Sequence, residues 1–161
     1  MVDMENFMSQ KDKKYININH LQLIGKAIEV NTQPLSVPLY LSRISAGFPS
    51  PADDYVETAL DLNKFLIKNP PATFMVKVSG DSMTNAGIDH GDILIVDRSQ
   101  KAVHGKIVVA VFDGELTVKR LFLKDNKCQL IAENPSYKPI SISEEQELQV
   151  WGVVTGVVRR L

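Results

Sequence analysis

Two residues carry side chains that could do chemistry together: Ser82, in Ser79-Gly80-Asp81-Ser82-Met83, and Lys119, in Leu116-Thr117-Val118-Lys119-Arg120. Ser82 follows a predicted strand and a Gly-Asp turn. A serine at the start of a short helix exposes its hydroxyl beside backbone N–H groups, which is what an oxyanion hole requires. The same position suits an ordinary helix-capping serine. Lys119 shares a strand face with Thr117 and Leu121. If that face is buried, the lysine pKa falls from its ordinary value of about 10.4 and the neutral amine can take a proton from a hydroxyl. If it is solvated, Lys119 pairs with Glu115 or another carboxylate. Arg120, on the opposite face, is the better candidate for a plain surface charge. Upstream, Ala46-Gly47 is a peptide bond between two small residues. It suits an extended strand docked along a cleft, with Ala46 in a shallow pocket, or a simple joint before Pro49 and Pro51.

Competing chemistries have weaker support. His90 and His104 sit in polar turns and His20 in the N-terminal region, so a histidine-based triad is not the favoured design. The lone Cys128 excludes an internal disulfide, no His/Cys cluster has metal-ligand spacing, and no Gly-rich phosphate loop is present. No metal or cofactor is expected.

The elements that would position these groups read as mainly β. Phe74–Val78 alternates, Gly91-Asp92 is a turn before the apolar run Ile93–Val96, and Asp113-Gly114 joins Ile107–Phe112 to Leu116–Leu123 as a hairpin. Gln129–Ala132 and Val150–Val158 supply further strands. A helix is expected near Tyr55–Leu66. Residues 1–46 differ in character. Leu21, Leu23, Ile24, Ala27 and Ile28 would line one face of a short helix, and Pro34 and Pro38 favour an extended connector. The expected organisation is a flexible arm over residues 1–46 and a packed β-rich domain over residues 47–161, long enough for its own core.

At 161 residues the chain has single-domain length, and its net charge of −1 gives no global electrostatic case for nucleic acid or anionic membrane. No secretory signal opens it, and no run approaches the roughly 18 apolar residues of a membrane helix. A cytoplasmic protein is expected.

Taken jointly, these segments resemble a known family. Gly47-Phe48-Pro49-Ser50-Pro51-Ala52-Asp53-Asp54-Tyr55-Val56-Glu57 is similar to the segment after the cleavage site of UmuD-like proteins. Val78-Ser79-Gly80-Asp81-Ser82-Met83 resembles the nucleophile motif they share with LexA-type repressors. Gly91–Asp97, Asp113–Lys119 and Gly152-Val153-Val154 match as well. The resemblance covers about residues 36–161. It implies a LexA/signal-peptidase-like β-rich peptidase fold and self-cleavage at Ala46-Gly47. Ser82 would be the nucleophile, Lys119 the base, and the backbone N–H groups of Ser82 and Met83 the oxyanion hole. It further implies stimulation by a RecA filament on single-stranded DNA, a homodimer, and assembly with a UmuC-like Y-family translesion polymerase in the SOS response. Val150, Trp151 and Val153, taken as exposed, are the expected dimer surface. The arm before Ala46 is longer than in the best-known UmuD-like members, the resemblance does not extend to residues 1–35, and Ala46 stands where those members have cysteine; alanine is the LexA-type choice.

A LexA-like self-cleaving repressor is the alternative. It needs a helix-turn-helix before the cleavage site, where residues 1–46 offer one candidate helix and few basic residues (Lys11, Lys13, Lys14, Lys26, Arg43). A binding module with idle catalytic residues is a third reading.

Overall fold

The computed structural model describes residues 21–26, 36–40, 57–125, 127–143, 146 and 148–161. These form two compact units, one holding residues 21–26 and 69–161, the other 36–40 and 57–68.

The larger unit is a single antiparallel sheet. Its strands are β1 (Leu21–Lys26), β4 (Thr73–Val78), β5 (Ile93–Asp97), β6 (Ile107–Phe112), β7 (Glu115–Lys124), β8 (Lys127–Ile131), β9 (Ile140–Ile142) and β10 (Leu148–Val158). Their spatial order is β1-β4-β5-β10-β6-β7-β8-β9. The apolar run of β6 is buried on both faces. Val109 and Val111 join Phe74, Val76, Met83, Leu94, Val96, Leu116 and Val118 in one core. Val108 and Ala110 join Leu121, Leu130 and Val153 in a second. Because strand side chains alternate, this split shows that the middle of the sheet carries a core on each side. The β6–β7 hairpin turns at Asp113 (φ 50°) and Gly114 (φ 81°), the left-handed pair that a two-residue hairpin loop demands.

The smaller unit pairs β2 (Ser36–Tyr40) with β3 (Glu57–Asp61), followed by α1 (Leu62–Leu66). Here the structure corrects the expected helix over Tyr55–Leu66. Pairing with β2 keeps residues 57–61 extended, and the Asp61 carboxylate caps the helix by accepting from the Asn63 and Lys64 N–H groups. Pro38 lies within β2, opposite Ala59.

Two further expectations change. Leu21–Lys26 is a strand paired to β4, from Leu21 opposite Val78 to Lys26 opposite Phe74. A helix that short gains little alone in water, whereas a sheet edge offers it hydrogen bonds. Val150, Trp151 and Val153 are not an exposed face, because β10 lies between β5 and β6. Val153 is 1% exposed, and Val150 and Trp151 are half-buried against the cores. Among the described residues no helix is long and apolar enough to cross a membrane.

Candidate active site

Ser82 is held in a turn anchored on both sides. Before it, β4 ends at Val78, whose N–H donates to the Asp92 carbonyl (2.8 Å) and whose carbonyl accepts from the Gly91 N–H (2.9 Å). Gly80, at φ 100°, bends the chain away from the strand, and its N–H donates to Nδ1 of His90 (3.2 Å). After it, Met83 plunges into the core at 1% exposure and its carbonyl accepts from the Ala86 N–H (2.9 Å), opening a 3-10 turn over Thr84–Ala86. The residue at the cap of that turn is Met83, with no side-chain cap bond. The Ser82 hydroxyl is therefore free of capping duty. Its partner is Lys119.

Lys119 reaches that hydroxyl from β7. Its Nζ lies 2.9 Å from Ser82 Oγ, 2.8 Å from Thr117 Oγ1 and 3.0 Å from the Val118 carbonyl. The residue is 9% exposed, and no carboxylate pairs with it among the described residues. Val108 is its neighbour on β6. Burial without a counter-charge lowers the Lys119 pKa from 10.5 to about 8. The three contacts suit either protonation state. The ammonium donates to all three oxygens; the neutral amine donates to Thr117 and Val118 and offers its lone pair to the Ser82 O–H. That arrangement can activate a serine hydroxyl near neutral pH. The backbone N–H groups of Ser82 and Met83 have no acceptor among the described residues.

Both side chains open onto a cleft of about 310 Å³, whose walls include Phe112, Leu116, Val118 and Ile140. A cleft that combines these apolar side chains with polar groups such as Ser82, Thr117 and Lys119 suits an extended peptide. Ala46 and Gly47 lie outside the described residues.

Several residues around this pair escaped the sequence reading. Tyr137 donates its hydroxyl to Asp81 Oδ1, and Asn134 Nδ2 donates to the Asp81 carbonyl (3.0 Å). Arg120 is no plain surface charge: it is half-buried, its Nε pairs with Glu133 Oε1, and its Nη1 donates to the Gly105 carbonyl (2.7 Å). His90 and His104 accept backbone N–H bonds: His90 from Gly80, tying two loops together, and His104 from Leu123, tying a loop to β7. No cluster of metal-ligating side chains occurs among the described residues.

Residues 38–155 match the Peptidase S24-like family. The chain is similar to the protein ImpA of Salmonella typhimurium, 46% identical over 129 residues that cover 76% of this chain and 83% of ImpA. It is 47% identical to MucA of Escherichia coli over 121 residues, covering 74% of this chain and 82% of MucA. The LexA repressor of Photorhabdus laumondii subsp. laumondii is 38% identical over 136 residues, covering 84% of this chain and 67% of the repressor.

Proposed function

We infer that this chain, which belongs to the Peptidase S24-like family as a UmuD-like member, is a serine endopeptidase that cuts its own backbone between Ala46 and Gly47. The observation that carries the reading is the 2.9 Å approach of Lys119 Nζ to Ser82 Oγ in a buried setting where, among the described residues, no carboxylate pairs with the amine. Neutral Lys119 takes the Ser82 proton as Oγ attacks the Ala46 carbonyl carbon. The N–H groups of Ser82 and Met83 bind the resulting oxyanion. Collapse breaks the Ala46–Gly47 bond, and Lys119 gives its proton to the leaving Gly47 amine. Water, deprotonated by Lys119, then frees Ala46 from the acyl-serine. No metal or cofactor is required by these steps.

The products are an arm of residues 1–46 and a domain of residues 47–161. In this reading cleavage is the switch of a DNA-damage response. A RecA filament on single-stranded DNA stimulates it, and the shortened homodimer joins a UmuC-like Y-family translesion polymerase. The likeness to a LexA repressor keeps a self-cleaving repressor as the second reading. Against it, Leu21–Lys26, within the one candidate helix before Ala46, is a strand of the sheet.

The test is incubation of the full chain with a RecA filament on single-stranded DNA, followed by intact-mass spectrometry. The expected result is a fragment beginning at Gly47 from wild type and none from Ser82→Ala. Equal fragmentation of both would remove the serine mechanism. Sequence-selective, salt-sensitive binding of the intact chain to duplex DNA would instead favour the repressor.

A further inference from the structure

We propose that the segment from Glu133 to Tyr137 is a positioning clamp that sets the Ser82 hydroxyl against the Lys119 amine. This rests on the reading of Ser82 and Lys119 as the catalytic pair. The two arrive on strands that are not neighbours: β5, β10 and β6 lie between β4 and β7 in the sheet. Small adjustments across three intervening strands would accumulate at the pair, so a direct tie between their two supports has leverage that the sheet lacks.

The segment makes that tie at both ends. Toward the serine, Tyr137 donates to the Asp81 carboxylate, Asn134 donates to the Asp81 carbonyl at 3.0 Å, and the Glu133 carbonyl accepts from the Asn85 N–H at 2.8 Å. These bonds grip the turn immediately before Ser82 and three residues after it. Toward the lysine, the Glu133 carboxylate pairs with Arg120, the residue next to Lys119 on β7. The segment is itself stiffened: Asn134 Oδ1 accepts from the Ser136 N–H at 3.0 Å and the Asn134 carbonyl from the Tyr137 N–H at 3.1 Å. Neither Asn134 nor Tyr137 contacts Lys119 or the Ser82 hydroxyl through any hydrogen bond in the structure, so both act through Asp81. The Asp81 carboxylate holds the Tyr137 phenol above its ordinary value of 10.0. The Tyr137 hydroxyl therefore stays protonated through the range in which Lys119 loses its proton. The charged groups near the pair are Asp81 on the serine turn, Glu115 and Arg120 on β7, and Glu133 in the clamp.

The test uses the full chain and follows the Ala46–Gly47 break by intact mass from pH 7 to 10.5 in wild type, Tyr137→Phe, Asn134→Ala and the double variant. A displacement near 1 Å at a reacting group can cost about 100-fold in rate. Each single variant is expected to lower the high-pH plateau about 10- to 100-fold at an unchanged thermal midpoint. The inflection should move upward from about 8, because a loosened turn admits water to Nζ. The double variant should lose less than the product of the singles, since both bonds hold one residue. Wild-type plateau and inflection in both singles, or losses that only track unfolding, would overturn the clamp while leaving the pair intact. A wild-type chain that never cleaves would overturn the pair, and the clamp with it.

Discussion

Lys119 is buried among apolar neighbours with three oxygens around its nitrogen and no carboxylate among the described residues to balance its charge. That arrangement has a cost in stability whose sign follows from linkage. The folded pKa is about 8 against 10.5 when exposed, so between those values the unfolded chain binds more protons and stability rises with pH. Below pH 8 the full penalty, about 3 kcal/mol by the shift, is present. Replacing Lys119 by Met removes the charge and keeps the volume. After allowing for lost hydrogen bonds, Lys119→Met should be about 1–2 kcal/mol more stable than wild type at pH 7. That gain should fade as pH rises toward 10.5. Urea unfolding at both pH values measures it, and a variant less stable than wild type at pH 7 would mean that the amine is not held at such a cost. At this scale the residue types of Ser82 and Lys119 were legible, but each alone also fitted a cap or a surface charge. Asn134 and Tyr137 were not legible, because their partner Asp81 lies 53 and 56 positions away, and no local pattern announces such a bond.

At the scale of elements, strands with strong local signals were readable: the Asp113-Gly114 turn dictates β6 and β7, and the alternation of Phe74–Val78 dictates β4. What failed was decided by partners rather than by propensity. Leu21–Lys26 has helical spacing yet pairs with β4, and residues 57–61 are drawn into β3 by β2. The short β9 carries too few residues for a periodicity. Gly152 illustrates a packing demand that sequence alone hides. It sits where the β10–β6 register shifts, and a Cβ there would lie 2.7 Å from Val96 Cγ1 and 3.0 Å from the Asp97 carbonyl oxygen. Gly152→Ala should therefore destabilise the domain by about 1–3 kcal/mol, read as a lower urea midpoint at an unchanged slope. A midpoint equal to wild type would show that β10 can shift to admit the methyl.

Across the whole molecule, β1 belongs to the same sheet as the candidate site while lying before the Ala46–Gly47 bond. Loss of residues 1–46 would remove an edge strand and leave β4 with one open side. A chain comprising residues 47–161 should show faster amide exchange over Thr73–Val78 than the full chain, with β6 and β10 unchanged; equal protection would mean that β1 contributes nothing to the edge. The near-neutral charge of −1 gives no broad attraction to nucleic acid. The most direct test of the account is the rate of the Ala46–Gly47 break in purified full chain as a function of pH, followed by intact mass in wild type, Ser82→Ala and Lys119→Ala. The account predicts a rate that climbs through pH of about 8 and levels off by about 10 in wild type, with both variants intact throughout. A wild-type chain that stays whole at every pH, with and without a RecA filament on single-stranded DNA, or a Ser82→Ala chain cut as fast as wild type, would contradict it.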